Sequence, residues 1–354
     1  MTSVANSPNK FAGVPIRNVW HMLVYSWKKL PLLKRWQPDV ESAPTLDGLF
    51  ATILSNVVHE RMRIGLGRSY TSATQLLNGV RGRIDFAQSV KQLSFQNARA
   101  VCHFQTFSPN VLKNQIIRST LHYLAQQGDF GADRSLASTL RSQIRRLVRD
   151  LDYIDLIELE LDAIRKQELE RDDHDYRLMF AICNIIVQRR MPTQTAGSKN
   201  LYAVERDEKF LWRLFEGFIV NFLDLRMVDW TIHAQKTIYW PAEEEAKFLP
   251  VMKPDIVMRH KGNSRVVVID TKFTRDSFKS DQLFQIYSYL RSQEEVSEEH
   301  RSAIGMLLYP SVGINFSEQV QIQGHNIIWQ AVDLTKPWQD IETSLIQIAD
   351  THFN

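Results

Sequence analysis

Two aspartates and a lysine form the pattern in this sequence that is best suited to chemistry. Asp255 follows a proline and opens a short apolar segment, after which turn-forming residues precede a second apolar run that ends in Asp270 and Lys272. Alternate residues of a strand point to the same face, so Asp270 and Lys272 project together, and a paired strand can bring Asp255 alongside. The spacing therefore predicts two carboxylates and an ammonium group at one end of a β-hairpin.

Such a constellation favours metal-assisted phosphodiester hydrolysis. Neighbouring carboxylates repel each other unless a cation lies between them, and oxygen ligands suit Mg²⁺, a hard ion. A lysine beside the metal can orient or deprotonate water and can stabilise charge on a phosphoryl oxygen. We predict Asp255 and Asp270 as metal ligands and Lys272 as catalytic base or charge stabiliser. In the alternative interpretation, Asp255 caps a turn and Asp270 with Lys272 is an ordinary surface ion pair.

Two further pairs of polar residues could complete this site. Gln285 and Tyr289 share one face of a predicted helix at i, i+4 spacing, where they could bond the lysine or contact DNA phosphates. Packing of Tyr289 into the core is the alternative. Glu208 and Glu216 lie on a long predicted helix with an apolar stripe, and either could reach the metal, although most glutamates on such helices are solvated.

The elements that must position these residues fall into two predicted domains, as the length of 354 residues favours. A stretch rich in Pro, Gly, Ser and Thr at 189–200 has the composition of a linker, so we expect domains at 1–195 and 196–354. The first is predicted to be helical with a β-rich projection or hairpin at 70–86, and the second to be a mixed sheet flanked by helices. Apolar periodicity predicts helices over 14–27, 46–66, 110–127, 136–151, 176–190, 207–225 and 281–293, and one after Pro337.

Charge alone does not indicate a nucleic-acid-binding protein. The 43 basic and 40 acidic residues leave a formal net charge of +3, so contact with nucleic acid must come from local patches. One such cluster, Arg141, Arg145, Arg146 and Arg149, lies on a predicted helix. We interpret it as a solvated helix face.

Several classes of protein are excluded. Cys102 and Cys183 are the only cysteines and lie far apart, so they form no zinc-binding pair, and a reducing cytoplasm fits. The polar start of the chain and the absence of long apolar runs predict neither export nor a membrane span. No GxxxxGK[ST] motif occurs, so any nucleotide-driven motor must be a separate polypeptide.

Longer segments add a resemblance to a known family. They are VPIRNVWHMLVYSW at 14–27, GVRGRIDF at 79–86 and VERDEKFLWRLFEGF at 204–218. Asp255 and the segment 270–272 resemble the PD-(D/E)xK nuclease signature, with Asp270 where many members have Glu. Gln285 and Tyr289 resemble the motif that RecB-like nucleases place after the catalytic lysine. Over nearly its whole length, the chain resembles the McrC family, the nuclease subunits of modification-dependent McrBC restriction systems.

This resemblance implies a fold and a division of labour. The second domain is expected to have the restriction-endonuclease-like α/β fold and to cut double-stranded DNA with Mg²⁺, within a complex directed at methylcytosine-containing foreign DNA. A McrB-like AAA+ GTPase hexamer is expected to bind GTP, recognise the modified DNA and translocate it. The first domain is expected to dock on this partner and to stimulate GTP hydrolysis.

Two arginines of the projection are candidates for that stimulation. Arg81 lies between Gly79 and Gly82, and Arg83 directly follows Gly82. Arginine presents several fixed donors to partner carboxylates or loops. The alternative is a plain hairpin whose arginines are solvated.

Two rival functions remain beside the nuclease. A non-catalytic activator or assembly subunit of a ring-forming AAA+ GTPase would not need Asp255, Asp270 and Lys272 together. An autonomous RecB-like or Cas4-like nuclease lacks support, because Cas4-like enzymes carry a cysteine cluster for an iron–sulfur centre and this chain has two distant cysteines.

Overall fold

The computed structural model describes residues 10–28, 43–167, 169, 173–190, 199–242, 248–272 and 279–353. Most of the predicted linker, residues 191–198, lies outside them. No helix in this part of the chain is both long and apolar enough to cross a membrane. The α-helices are α1 (Ile16–Ser26), α2 (Leu46–Ile64), α3 (Phe86–Lys91), α4 (Leu112–Gln127), α5 (Arg134–Asp150), α6 (Leu161–Arg165), α7 (His174–Arg190), α8 (Lys199–Arg226), α9 (Ser280–Arg291) and α10 (Trp338–His352).

Within the described ranges, the strands form three separate sheets. A two-stranded antiparallel ribbon, β1 with β2, precedes α1, a three-stranded sheet has the order β3-β5-β4, and a six-stranded sheet has the order β10-β11-β9-β8-β7-β6. Their bounds are β1 (Lys10–Phe11), β2 (Val14–Pro15), β3 (Ser69–Leu77), β4 (Arg83–Ile84), β5 (Ala100–Ser108), β6 (Trp230–Ala234), β7 (Ile256–His260), β8 (Val266–Thr271), β9 (Ile304–Ser311), β10 (Ser317–Ile322) and β11 (His325–Asp333).

The chain divides into two compact units. The terminal unit comprises Met1–Leu49 and Thr193–Asn354, and the inserted unit comprises Phe50–Pro192. The second boundary lies close to the predicted one at 195. The first 49 residues, however, belong to the terminal unit and not to one continuous domain at 1–195.

Specific contacts hold α1 in the terminal unit. The buried Asn18 side chain donates to the carbonyl oxygens of Leu334 and Lys336, both at 2.8 Å. At the other end of α1, Gly217 of α8 lets the two helices approach closely, because a Cβ there would lie 2.5 Å from the Ser26 hydroxyl oxygen. The pattern of α1 predicted a helix but not its distant partners.

The six-stranded sheet is mixed, as predicted, and its centre is fully enclosed. β8 runs antiparallel to β7 and parallel to β9, and every residue of β8 is buried. A strand covered on both faces reads as a continuous apolar run, which explains Val266 to Ile269. Helix α9 packs on this sheet, and it can approach closely because Gly305 of β9 has no side chain in front of Ile286 and Leu290.

The inserted unit contains the projection, with a topology that differs from a hairpin. β3 and β4 do not pair with each other; both pair with β5, which sequence analysis did not predict. Gly82 has a positive φ of 68°, and a Cβ there would lie 2.3 Å from the His103 carbonyl oxygen of β5. A glycine at this position therefore lets the backbone approach β5 closely. Helices α4, α5 and α7 confirm the predicted helical character of this unit.

Asn18→Ala is expected to destabilise the protein by about 2 kcal/mol, because the buried Leu334 carbonyl group and the partly buried Lys336 carbonyl group lose a donor. The measurement is the unfolding free energy by denaturant titration. Asn97→Ala, at an exposed asparagine, is the control and should stay within about 0.5 kcal/mol of the unmodified chain. Equal stability of the two variants would show that α1 is not anchored through Asn18.

Candidate active site

The candidate site lies where β7 begins and β8 ends. The register pairs Ile256 with Ile269, so Asp255 and Asp270 come next to each other across the two antiparallel strands. Asp270 is only 2% exposed. The β-hairpin geometry expected from the sequence is therefore present, and it brings the two carboxylates together.

Thr271 fixes the orientation of Asp255. Its backbone N–H and its hydroxyl both donate to Asp255 Oδ2, each at 2.7 Å. The indole N–H of Trp212, on α8, donates in turn to the Thr271 carbonyl oxygen at 3.2 Å and to its hydroxyl oxygen at 3.3 Å. Asp255 is thus an acceptor in a chain of hydrogen bonds that begins on the helix, and not simply a turn cap.

Lys272 links the carboxylates to α9. Its ammonium group forms an ion pair with Asp270 and donates to Gln285 Oε1 at 2.6 Å. The Gln285 amide donates to the Tyr289 hydroxyl oxygen, also at 2.6 Å. Tyr289 is 5% exposed: its ring packs in the core, and its hydroxyl group joins the polar chain.

Burial and charge shape the ionisation of these groups. Burial raises the pKa of Asp270 to about 6; the Lys272 charge opposes this rise and the Asp255 charge adds to it. Burial also raises the pKa of Tyr289, and the Asp270 and Asp255 charges contribute in the same direction. Negative charge is therefore costly here, and a cation at the carboxylates would lower that cost.

The two upstream glutamates differ in their surroundings. Glu216 accepts a hydrogen bond from the Gln235 amide at 2.7 Å, and burial followed by the Asp255 charge raises its pKa. Glu216 is thus within electrostatic reach of the candidate site. Glu208 lies two turns earlier on α8, is half-buried, and has one carboxylate oxygen fully enclosed.

The donor set of the site consists of carboxylate oxygens, which are ligands that hard cations such as Mg²⁺ take. Within the described ranges, no group of three or more His, Cys, Asp or Glu side chains is arranged to hold a metal ion. Mg²⁺ commonly uses only one or two carboxylates, with waters and phosphate oxygens as its other ligands. Asp255 and Asp270 match that requirement.

Arg81 and Arg83 lie elsewhere, in the inserted unit. Both are exposed; the Arg81 guanidinium lies 4.3 Å from the centre of the Phe104 ring, and Arg83 pairs with His103 in the sheet. The stacking of Arg81 on Phe104 holds one guanidinium group at the surface.

Thr271, Trp212 and Gln235 are parts of this site that the sequence patterns do not predict. Thr271 lies between Asp270 and Lys272 in the sequence, but its residue type alone indicates no role in the site. Trp212 lies four residues before Glu216 on a shared face of α8, and it falls inside the 204–218 segment that carries the family resemblance.

Comparisons with known proteins identify the family of the chain. A family model described as "McrBC 5-methylcytosine restriction system component" matches residues 6–310. The chain is 27% identical over 354 residues to the Type IV methyl-directed restriction enzyme EcoKMcrBC of Escherichia coli strain K12, covering 96% of this chain and 98% of that protein.

A solved structure shares the fold. It is a half-complex from a tetradecameric assembly of Thermococcus gammatolerans McrB AAA+ hexamers with bound McrC, matched with a TM-score of 0.56 and 18% identity over 95% of this chain and 76% of that chain. The family match covers most of the present sequence. The chain belongs to the McrBC 5-methylcytosine restriction system component family.

Proposed function

We propose that this chain is the DNA-cleaving subunit of an McrBC-type restriction complex, a Mg²⁺-dependent endonuclease that hydrolyses phosphodiester bonds in double-stranded DNA. The observation that carries this proposal is the convergence of Asp255, Asp270 and Lys272 at the ends of β7 and β8. The name of the E. coli relative, a methyl-directed restriction enzyme matched over nearly its full length, supports the same activity.

Asp255 and Asp270 would hold the metal ion. Glu216 is the better candidate for a third carboxylate, because the Asp255 charge already acts on it, and Glu208 is the alternative. When bound, Mg²⁺ supplies Lewis acidity and lowers the pKa of a coordinated water.

The protein's own residues hold and orient the reacting groups. Thr271 keeps Asp255 Oδ2 in one orientation through two hydrogen bonds. Lys272 is held between Asp270 and Gln285, where its ammonium group can stabilise charge that develops on a phosphoryl oxygen or orient the attacking water. Tyr289 holds Gln285 in turn.

The partner is proposed to be a McrB-like AAA+ GTPase hexamer that binds GTP and recognises methylcytosine. The Thermococcus half-complex, which contains McrB AAA+ hexamers with bound McrC, supports this partner. Exposed apolar side chains on the inserted unit, among them Tyr70 at 69%, Phe86 at 66% and Phe107 at 56%, provide a surface for docking. The complex would act on foreign DNA in the cytoplasm.

A purely activating role is the second candidate function. The exposed arginines and apolar residues of the inserted unit favour it as an additional activity. The intact hydrogen-bonded cluster around Asp255, Asp270 and Lys272 argues against it as the sole activity.

Lys272→Ala and Asp270→Asn should each reduce DNA cleavage by about 10³-fold or more, because the first removes the positive charge beside the reacting phosphate and the second removes a carboxylate that would hold the metal ion. The assay is cleavage of methylated plasmid by this chain with its AAA+ partner, GTP and Mg²⁺. Lys336→Ala, at an exposed lysine, is the control and should cut normally.

Co-purification of the variants with the partner should be unchanged. A Lys272→Ala chain that cuts normally would refute the assigned site. A mixture that hydrolyses GTP rapidly but never cuts modified DNA would instead favour the activator.

Trp212→Phe should raise the Mg²⁺ concentration needed for half-maximal cleavage by about tenfold, because the indole N–H orients Thr271 and, through it, Asp255. The measurement is a Mg²⁺ titration of the cleavage rate beside a thermal unfolding curve. Trp240→Phe removes an indole N–H that donates to the Pro250 carbonyl group and should leave the titration unchanged. An equal shift in both variants would count against a positioning role for Trp212.

Arg81→Ala/Arg83→Ala should lower the stimulation of GTP hydrolysis by about tenfold or more, since arginines beside a nucleotide stabilise transition-state charge. GTP turnover of the partner is measured with a saturating amount of each chain. Arg63→Ala/Arg99→Ala removes two other exposed arginines of the inserted unit and is the control. Full stimulation by the first variant would remove the role proposed for this pair.

A further inference from the structure

Helix α5 of the inserted unit carries a positive surface that the proposed reaction does not use. Its 17 residues include five arginines and a single acidic residue, Asp150. Ile144, Leu147 and Val148 form the buried face of this helix. Arg134, Arg145 and Arg149 are exposed on one side of the helix next to this face, and Arg141, on the same side, is partly buried.

Two adjoining surface grooves run along this arginine-bearing side. One groove, of about 430 Å³, is lined by Arg134, Arg141 and Arg145, and Asp129 is the one acidic residue in its lining. Arg145 also lines the second groove, of about 460 Å³. Ser142 and Arg145 both line the two grooves, which therefore adjoin, and the pair of grooves is here called the arginine groove.

The second part of the arginine groove is equally basic. Arg118 and Arg149 lie there beside His122, with Asp152 as the one acidic residue of that lining. Cationic side chains thus outnumber acidic ones along the whole feature, although the net charge of the chain is only +3.

Some arginines of the groove are fixed and others are available. Arg141 donates to the Gly128 carbonyl oxygen at 3.0 Å and lies over the Phe130 ring, and Arg118 donates to the carbonyl oxygens of Val148 and Ile154. In contrast, Arg145 and Arg149 are exposed. Within the described part of the chain, neither of them forms an ion pair or a side-chain hydrogen bond.

We propose that the arginine groove binds the phosphate backbone of duplex DNA, at a site separate from the carboxylate cluster. Arg141, Arg145 and Arg149 follow one another at four-residue intervals, which places them about 6 Å apart along one side of the helix. Such a row suits successive phosphate groups, and arginine binds phosphate oxygens through paired donors. The choice of DNA as ligand rests on the proposed function, because a nuclease subunit meets this polyanion.

The test is binding of a fluorescein-labelled 30-base-pair unmodified duplex to the full chain, followed by anisotropy between 50 and 200 mM KCl in EDTA. Each phosphate contact contributes about 0.9 to the slope of log K against log salt concentration. Arg145→Gln/Arg149→Gln should therefore reduce that slope by about 2 and weaken binding at 100 mM KCl by about tenfold or more. Since no cleavage occurs in EDTA, a failed nuclease assignment would not alter this result.

Arg146→Gln/Arg177→Gln is the matched control, because it removes two exposed arginines of the inserted unit that line neither part of the groove. It should keep the affinity and slope of the unmodified chain. Arg145→Lys/Arg149→Lys keeps both positive charges and should keep the slope. This variant shows whether a loss of binding in the Gln variant comes from the lost charge or from a disturbed fold.

Three results would overturn the proposal. One is the absence of DNA binding by the unmodified chain at 50 mM KCl. Another is an equal loss of affinity in the groove variant and in its control, which would indicate net charge alone. The last is a groove variant, Arg145→Gln/Arg149→Gln, that binds DNA normally but associates more weakly with the AAA+ partner. That result would show that the groove is a protein-docking surface.

Discussion

Asp270 carries a carboxylate on an enclosed central strand, only 2% exposed and beside a second carboxylate. Burying such a charge costs several kcal/mol unless a cation or hydrogen-bond donors compensate it. Lys272 provides the cation two residues later, and Gln285 with Tyr289 holds the lysine from α9. The positions of β8 and α9 therefore both serve to compensate the buried negative charge of Asp270. The same negative charge favours binding of a metal ion at the cluster.

The supports for this cluster come from opposite ends of the chain. Trp212 reaches Thr271 from α8, and α8 is itself packed against α1 where Gly217 faces Ser26. The ring of Tyr25, near the end of α1, packs against Phe218 of α8, and its hydroxyl group donates to Glu342 of α10. The N-terminal helix is thus part of the framework that holds the candidate active site, which explains why it groups with residues 193–354.

Local patterns predicted much of this arrangement. The apolar run before Asp270, the turn residues after β7 and the four-residue spacing of Gln285 and Tyr289 each indicated an element or a shared face without any tertiary information. Pairings between distant segments left no such signal. Neither the insertion of β5 between β3 and β4 nor the hydrogen bonds of Asn18 to residues 334 and 336 follows from local periodicity.

The discontinuous terminal unit has a consequence for the order of events during synthesis. Asn18 and its acceptor Leu334 are 316 residues apart, so α1 leaves the ribosome long before the carbonyl groups that it will bond exist. The inserted unit is complete at residue 192 and can fold on the nascent chain, since domains generally fold as units in the order of synthesis. The candidate nuclease cluster, whose last strand neighbours lie beyond residue 303, forms only near the end of translation.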